Sequence, residues 1–157
     1  MPSIHLTTFI AAPAERVFDL SRSINLHKLS TAETNERAVA GVTDGLINLN
    51  ETVTWEAKHL FKTRQFTSRI AAMERPMHFR DEMVKGDFKE FGHDHHFKAI
   101  ENGTIMIDQL HFETPYGILG RLLNRFYLLS YLENLLNRRN AMIREYAESE
   151  KWKAILK

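Results

Sequence analysis

Apolar and polar positions alternate from the start of the chain. Ile4, Leu6, Thr8 and Ile10 share one side of residues 3–10, the period-two signature of a strand. Pro13 stands where a helix would begin, with Glu15 in its first turn, and Val17, Phe18 and Leu20 form an apolar stripe. Ser23 can cap a second short helix that carries Ile24, Leu26 and Leu29. From residue 35 to 113 the period returns to two. Glu51, Val53, Trp55, Ala57 and His59 share a face, as do Phe66, Ser68, Ile70 and Ala72, and then Phe79, Asp81 and Met83. Asp44-Gly45, Arg75-Pro76, Gly86-Asp87 and Asn102-Gly103 punctuate these runs, and strands are expected over 88–100 and 104–113. The Asn-Gly pair tolerates positive φ at both turn positions, so tight reversals and an antiparallel meander follow.

Thr114-Pro115 closes the strand region, and the period becomes helical. Leu119, Leu122, Phe126, Leu129, Leu136 and Ile143 lie near one stripe, widened by Leu128, Leu132, Leu135 and Met142. A helix over 117–148 would span about 48 Å, with a break expected near Leu123–Tyr127 because Asn124 is a poor helix former. The expected order is strand, two short helices, six strands, long helix: an α+β chain whose seven-stranded antiparallel sheet curves around its last helix.

Composition narrows the picture little. At 157 residues, 43% hydrophobic and 26% charged, the chain reads as one domain over 1–157 with a sizeable core. A net charge of +1 lacks the basic face that a nucleic-acid binder needs. No cysteine is present, which excludes disulfides, thiol catalysis and thiolate metal sites and suits a cytoplasmic protein. The first residues lack the basic and apolar regions of a signal peptide. Charged and polar residues interrupt the Ile118–Leu136 run, so no stable membrane insertion is expected.

The order of elements and four stretches resemble the SRPBCC superfamily, also called START-like or helix-grip, and within it the bacterial ligand-binding branch. The stretches are Ile10 through Asp19 at the first helix, Phe79 through Gly86 at a hairpin, Phe91 through Phe97 on the next strand, and Asp108 through Gly120 into the last helix. The resemblance covers the whole chain. It implies a helix-grip fold and a largely apolar cavity between sheet and helix; because the superfamily also holds polyketide cyclases and oxygenase subunits, it leaves the chemistry open. The glycine-rich loop of the plant allergen branch is absent, since Val42-Thr43-Asp44-Gly45-Leu46 holds one glycine. No catalytic pattern of the cyclases can be matched.

The strand Phe91-Gly92-His93-Asp94-His95-His96-Phe97 stands out. Alternation puts Phe91, His93, His95 and Phe97 on one side and Gly92, Asp94 and His96 on the other, and the phenylalanines suggest that the first set faces inward. Inward imidazoles need partners. They could form a structural network with Asp81 as acceptor, orient the polar group of a ligand, or bind a metal. For a metal, His111, Glu51 and Asp81 are the candidate third ligands, but none can be placed, so neither metal nor cofactor is assigned. His95 or His93 with Asp81 could also move protons in a cyclase- or hydratase-like enzyme.

Trp55, Phe66, Phe79 and Phe97 are expected to line the concave face and Leu122 and Phe126 the helix side of the cavity, with core packing as the competing role for each. Asp108 cannot be assigned a side, because Ile105 and Ile107 are as apolar as Met106 and Leu110. Leu60-Phe61 is expected at a hairpin tip, and Arg138-Arg139 on a solvated helix face. The leading expectation is a protein that holds a hydrophobic, lipid-like or aromatic small molecule. A cyclase-like enzyme and a protein-interaction domain are the alternatives.

Overall fold

The computed structural model describes residues 2–59, 62–115, 117–118, 122 and 127–156. Strand β1 (Ser3–Ile10) is followed by helices α1 (Ala14–Ser21) and α2 (Ile24–Ser30) and a 3-10 turn at Ala32–Thr34. Six strands follow: β2 (Arg37–Gly41), β3 (Thr52–His59), β4 (Lys62–Glu74), β5 (His78–Lys85), β6 (Glu90–Ile100) and β7 (Gly103–Glu113). The chain ends in a long helix, α3 (Leu129–Glu148), and a short one, α4 (Trp152–Ile155). All seven strands form one antiparallel sheet in the order β1-β7-β6-β5-β4-β3-β2, so the chain meanders from β2 to β7 and closes against β1.

The local signals act as their chemistry requires. Ser23 accepts a hydrogen bond from the Leu26 amide at 3.1 Å and caps α2. Glu15 lies in the first turn of α1, whose N-cap is Pro13. Leu29 departs from expectation: it is exposed, while Ile24 and Leu26 are buried. On β4 the expected alternation holds through Ile70 and then fails. The register slips between Ile70 and Ala72, an irregularity that swaps the two faces, so Met73 rather than Ala72 packs on the core. The last hairpin also differs. Gly103 already pairs with Ile100, which leaves Glu101 and Asn102 as the turn. Gly103 is required for another reason, since a Cβ there would lie 2.3 Å from the Ile10 carbonyl oxygen at the end of β1.

The core lies between the concave face and the helices. Phe18 of α1 is fully buried and meets Phe79 and Phe97 edge-on at 5.3 and 5.2 Å. Val53, Trp55, Ile70, Met106, Ile143 and Ala147 belong to the same cluster. A second cluster joins Ile4, Leu110 and Leu136, with Leu6, Phe91, Leu129 and Leu132 against it. The helix α3 therefore presents Leu136, Arg139, Asn140, Ile143 and Ala147 to the sheet. Of the expected long helix, Gly117, Ile118 and Leu122 are helical and a π-type turn at Tyr127–Leu128 leads into α3. The break expected near Leu123–Tyr127 and the hairpin tip at Leu60-Phe61 fall largely or wholly outside the described residues.

Candidate functional site

Strands β5, β6 and β7 bring the titratable residues together. Pairing sets Asp81 opposite His93, Phe79 opposite His95, and His95 opposite Asp108. Asp108 faces inward and is fully buried, which settles what its neighbours left open.

Both of its carboxylate oxygens are engaged. Asp108 Oδ1 accepts from His93 Nε2 at 2.8 Å and from Arg139 Nη1 at 3.3 Å, and Oδ2 accepts from Asn140 Nδ2 at 2.8 Å. Arg139 also donates to Asn140 Oδ1 at 2.8 Å and, through Nη2, to His95 Nδ1 at 3.2 Å. A guanidinium only donates, so His95 Nδ1 must be the accepting nitrogen. The His95 proton then sits on Nε2 and is donated to Asp81 Oδ2 at 2.6 Å. The ring is sandwiched between Phe79, stacked at 4.0 Å, and His93 at 3.7 Å.

Charge follows burial. Desolvation, with the neighbouring His93, pushes the His95 imidazole down to about 3 despite its bond to Asp81, so His95 is neutral at physiological pH. Burial opposes ionisation of Asp108, but the bond from His93 and the Arg139 charge outweigh it and hold the carboxyl below the usual range. The same contest, won by the hydrogen bond from His95, lowers Asp81. One fully buried carboxylate, Asp108, and one partly buried, Asp81, thus flank a guanidinium and a neutral imidazole.

This arrangement corrects several expectations. Arg139 is not on a solvated face: it is 9% exposed, while its neighbour Arg138 is exposed and pairs with Glu33. Trp55, Phe79 and Phe97 are core residues because α1 and α2 dock over that part of the sheet. Leu122 is 51% exposed, which removes it from an enclosed lining, and Phe126 falls outside the described residues. Of the candidate third metal ligands, Asp81 joins His93 and His95, whereas Glu51 bonds the Asn48 amide and His111 lies on the opposite face. Beneath Arg139 a concavity lined by Leu20, Ser23, Leu26 and Ile143 measures about 10 Å³, too little for more than one water. A cleft of about 390 Å³ opens instead between β1 and α3, past Thr8, Asn137, Asn140, Arg144 and Glu148, where Asn140 reaches Thr8 Oγ1 at 3.4 Å.

Farther along the concave face the packing loosens. Phe66 and Phe91 meet edge-on at 5.0 Å, and Phe88 touches Phe91 at 5.1 Å and Phe112 at 5.6 Å. Phe66, Met83, Phe88 and Phe91 are only partly buried. Asp81, two residues before Met83 on β5, keeps 20% of its side chain exposed, and its Oδ1 has no hydrogen-bond partner among the described residues.

The convex face carries a second cluster. His78 Nε2 bonds Asp94 Oδ1 at 2.8 Å, Arg80 Nη1 bonds Asp94 Oδ2 at 2.5 Å, and Arg80 reaches Glu82 and His111. Gly92 makes room for this, since a Cβ there would lie 2.3 Å from Arg80 Nη2. Burial alone would raise the Asp94 carboxyl, but its bonds to His78 and Arg80 lower it.

Comparison with solved structures reveals clear relatives in fold. The protein TTHA0849 of Thermus thermophilus superimposes with a TM-score of 0.70 at 20% identity, over 90% of this chain and 97% of that one. The major latex-like protein 151 of Panax ginseng gives 0.69 at 13% identity, over 94% and 98%. A START superfamily protein of Mycobacterium smegmatis gives 0.68 at 12%, over 91% and 97%. No family model and no curated protein matches the sequence. The chain has the helix-grip fold, as its resemblance to the SRPBCC superfamily implies. Among the described residues, no helix is long and apolar enough to cross a membrane.

Proposed function

We propose that the chain binds an uncharged, largely apolar small molecule, aromatic or lipid-like, at the loosely packed end of the concave face. The observation that carries this reading is the partly exposed group Phe66, Met83, Phe88 and Phe91 near Asp81 Oδ1, which has no partner among the described residues. A few polar groups within an apolar surface is the usual composition of a small-molecule site. Because the Asp81 carboxyl is held below its usual range, it is ionised at neutral pH. An ionised carboxylate selects a ligand whose polar end donates a hydrogen bond, such as a hydroxyl, and repels a carboxylic acid. The ligand-binding role expected of His93 and His95 becomes indirect: they hold Asp81 and Asp108 in place. Both ring nitrogens of His95 are engaged, so the acid–base alternative has no nitrogen there to offer a substrate.

Titration with Nile red, an uncharged fluorescent probe, tests the reading. Saturable binding with one site per chain is expected, weakened by Phe91→Ala and by Phe66→Ala and displaced by hydroxylated aromatics better than by the matching acids. A flat titration, or binding indifferent to both substitutions in variants that keep the wild-type circular dichroism, would overturn it.

A further inference from the structure

The geometry points to a divalent transition-metal site on the convex face of the sheet, formed by His78, Asp94 and His96. His78 and His96 are directly paired across β5 and β6, and their rings stack at 4.7 Å. Asp94 stands two residues before His96 on the same face of β6. One donor atom from each of the three lies within 4.8 Å of the others. Donors around a zinc ion at about 2.0–2.1 Å are roughly 3.3 Å apart, so closing the site takes small side-chain rotations and no change of the strand backbone.

The donor set decides which ions fit. Two imidazoles and one carboxylate suit zinc, nickel or copper, whereas magnesium and calcium favour oxygen ligands. His78 and Asp94 retain 26% and 23% side-chain exposure, enough for an ion to enter and for water to complete its coordination. Arg80 holds Asp94 Oδ2 and leaves Oδ1, now bonded to His78, for the metal. Binding exchanges that one hydrogen bond for metal bonds to both groups. The guanidinium costs affinity, but it has Glu82 and His111 to turn to, so affinity in the micromolar range is expected. The concave group Asp81, His93 and His95 satisfies the same distance condition, yet it is a poorer host. Arg139 points at His95 Nδ1, and both histidines are buried without access for an ion.

Isothermal titration of the full chain with zinc chloride in a non-chelating buffer at neutral pH checks the assignment. One zinc per chain is expected. His78→Ala and His96→Ala should each weaken it by roughly tenfold or more, because even partners outside the first coordination sphere contribute 10–100-fold; the double variant should not bind. In the wild-type protein, zinc should shift the imidazole NMR signals of His78 and His96 and leave those of His93 and His95 in place, a readout that needs no variant to fold. Absence of binding, binding that survives the double substitution, or shifts confined to His93 and His95 would each overturn the proposal.

Discussion

The two faces of the sheet around β5, β6 and β7 carry nearly the same residue types and put them to different use. On the concave side His93, His95, Asp81 and Asp108 meet Arg139; on the convex side His78, His96 and Asp94 meet Arg80. What differs is the second layer. Helix α3 covers the concave group and supplies Arg139 and Asn140, so its charges are removed from water and locked by geometry. The convex group has the sheet on one side and solvent on the other, and its members keep water as an alternative partner. Residue pattern along a strand thus places a histidine on a face, and the layer above that face decides whether it is a fixed strut or an adaptable ligand.

The sharpest way to break this contrast is to remove the central carboxylate on each side. Asp108→Ala strands Arg139, His93 and Asn140 in the core and should cost about 3–5 kcal/mol, the penalty for breaking a buried pair. Asp94→Ala leaves Arg80 and His78 to water and should cost less than about 1 kcal/mol. Urea denaturation followed by circular dichroism reads both. Equal costs would mean that burial does not separate the two clusters.

Acid should expose the same asymmetry. The folded-state value of His95 lies at about 3, well below the ordinary imidazole value of 6.5. The unfolded chain therefore binds a proton that the native chain refuses between these limits, and stability falls as pH drops below 6.5. The loss is at most about 1.4 kcal/mol per pH unit from this one group. Asp108 and Asp81, whose folded values are depressed, add their stability above the ordinary carboxylate range and lose it only at lower pH. Glu56, Glu150, Asp19 and Asp94 are depressed as well and join as pH nears their ordinary values, so the window from pH 6 toward 5 is where the His95 contribution stands apart. Urea midpoints across that window should fall steeply for the native sequence and should flatten in His95→Gln, which carries no titrating ring. An unchanged slope in His95→Gln would remove His95 as the origin.

Much of this was legible in the chain itself. Turn residues and alternation placed the strands to within a few residues, because pleat and tight turns are local. The inward pair His93 and His95 and the Asp81 acceptor followed from alternation as well. Asp108 was ambiguous because both faces of β7 are apolar in sequence, and only its pairing with His95 and the docking of α3 resolve it. The charge of Arg139 points it toward solvent. Its position between Leu136 and Ile143, three residues after one and four before the other, put it in the buried stripe all along. The convex site is hidden in the sequence for a different reason. His78 and His96 are eighteen positions apart, and only the β5–β6 register makes them neighbours.

The guanidiniums offer the finest discrimination. Lysine keeps the charge of arginine but has no planar fork, so it cannot serve Asp108, Asn140 and His95 Nδ1 together. Arg139→Lys should therefore cost about 1–2 kcal/mol, the loss of one or two buried hydrogen bonds, and should release the His95 proton from its fixed nitrogen. Long-range 15N–1H correlation at neutral pH would show this directly, as a single Nε2-protonated form in the native protein and a mixture of tautomers in the variant. Arg80→Lys should change stability by no more than about 0.5 kcal/mol, because a solvated ammonium replaces a solvated guanidinium. Should Arg139→Lys be as mild, with the His95 tautomer undisturbed, the lock on the concave cluster would lie in its carboxylates alone and not in the helix that covers them.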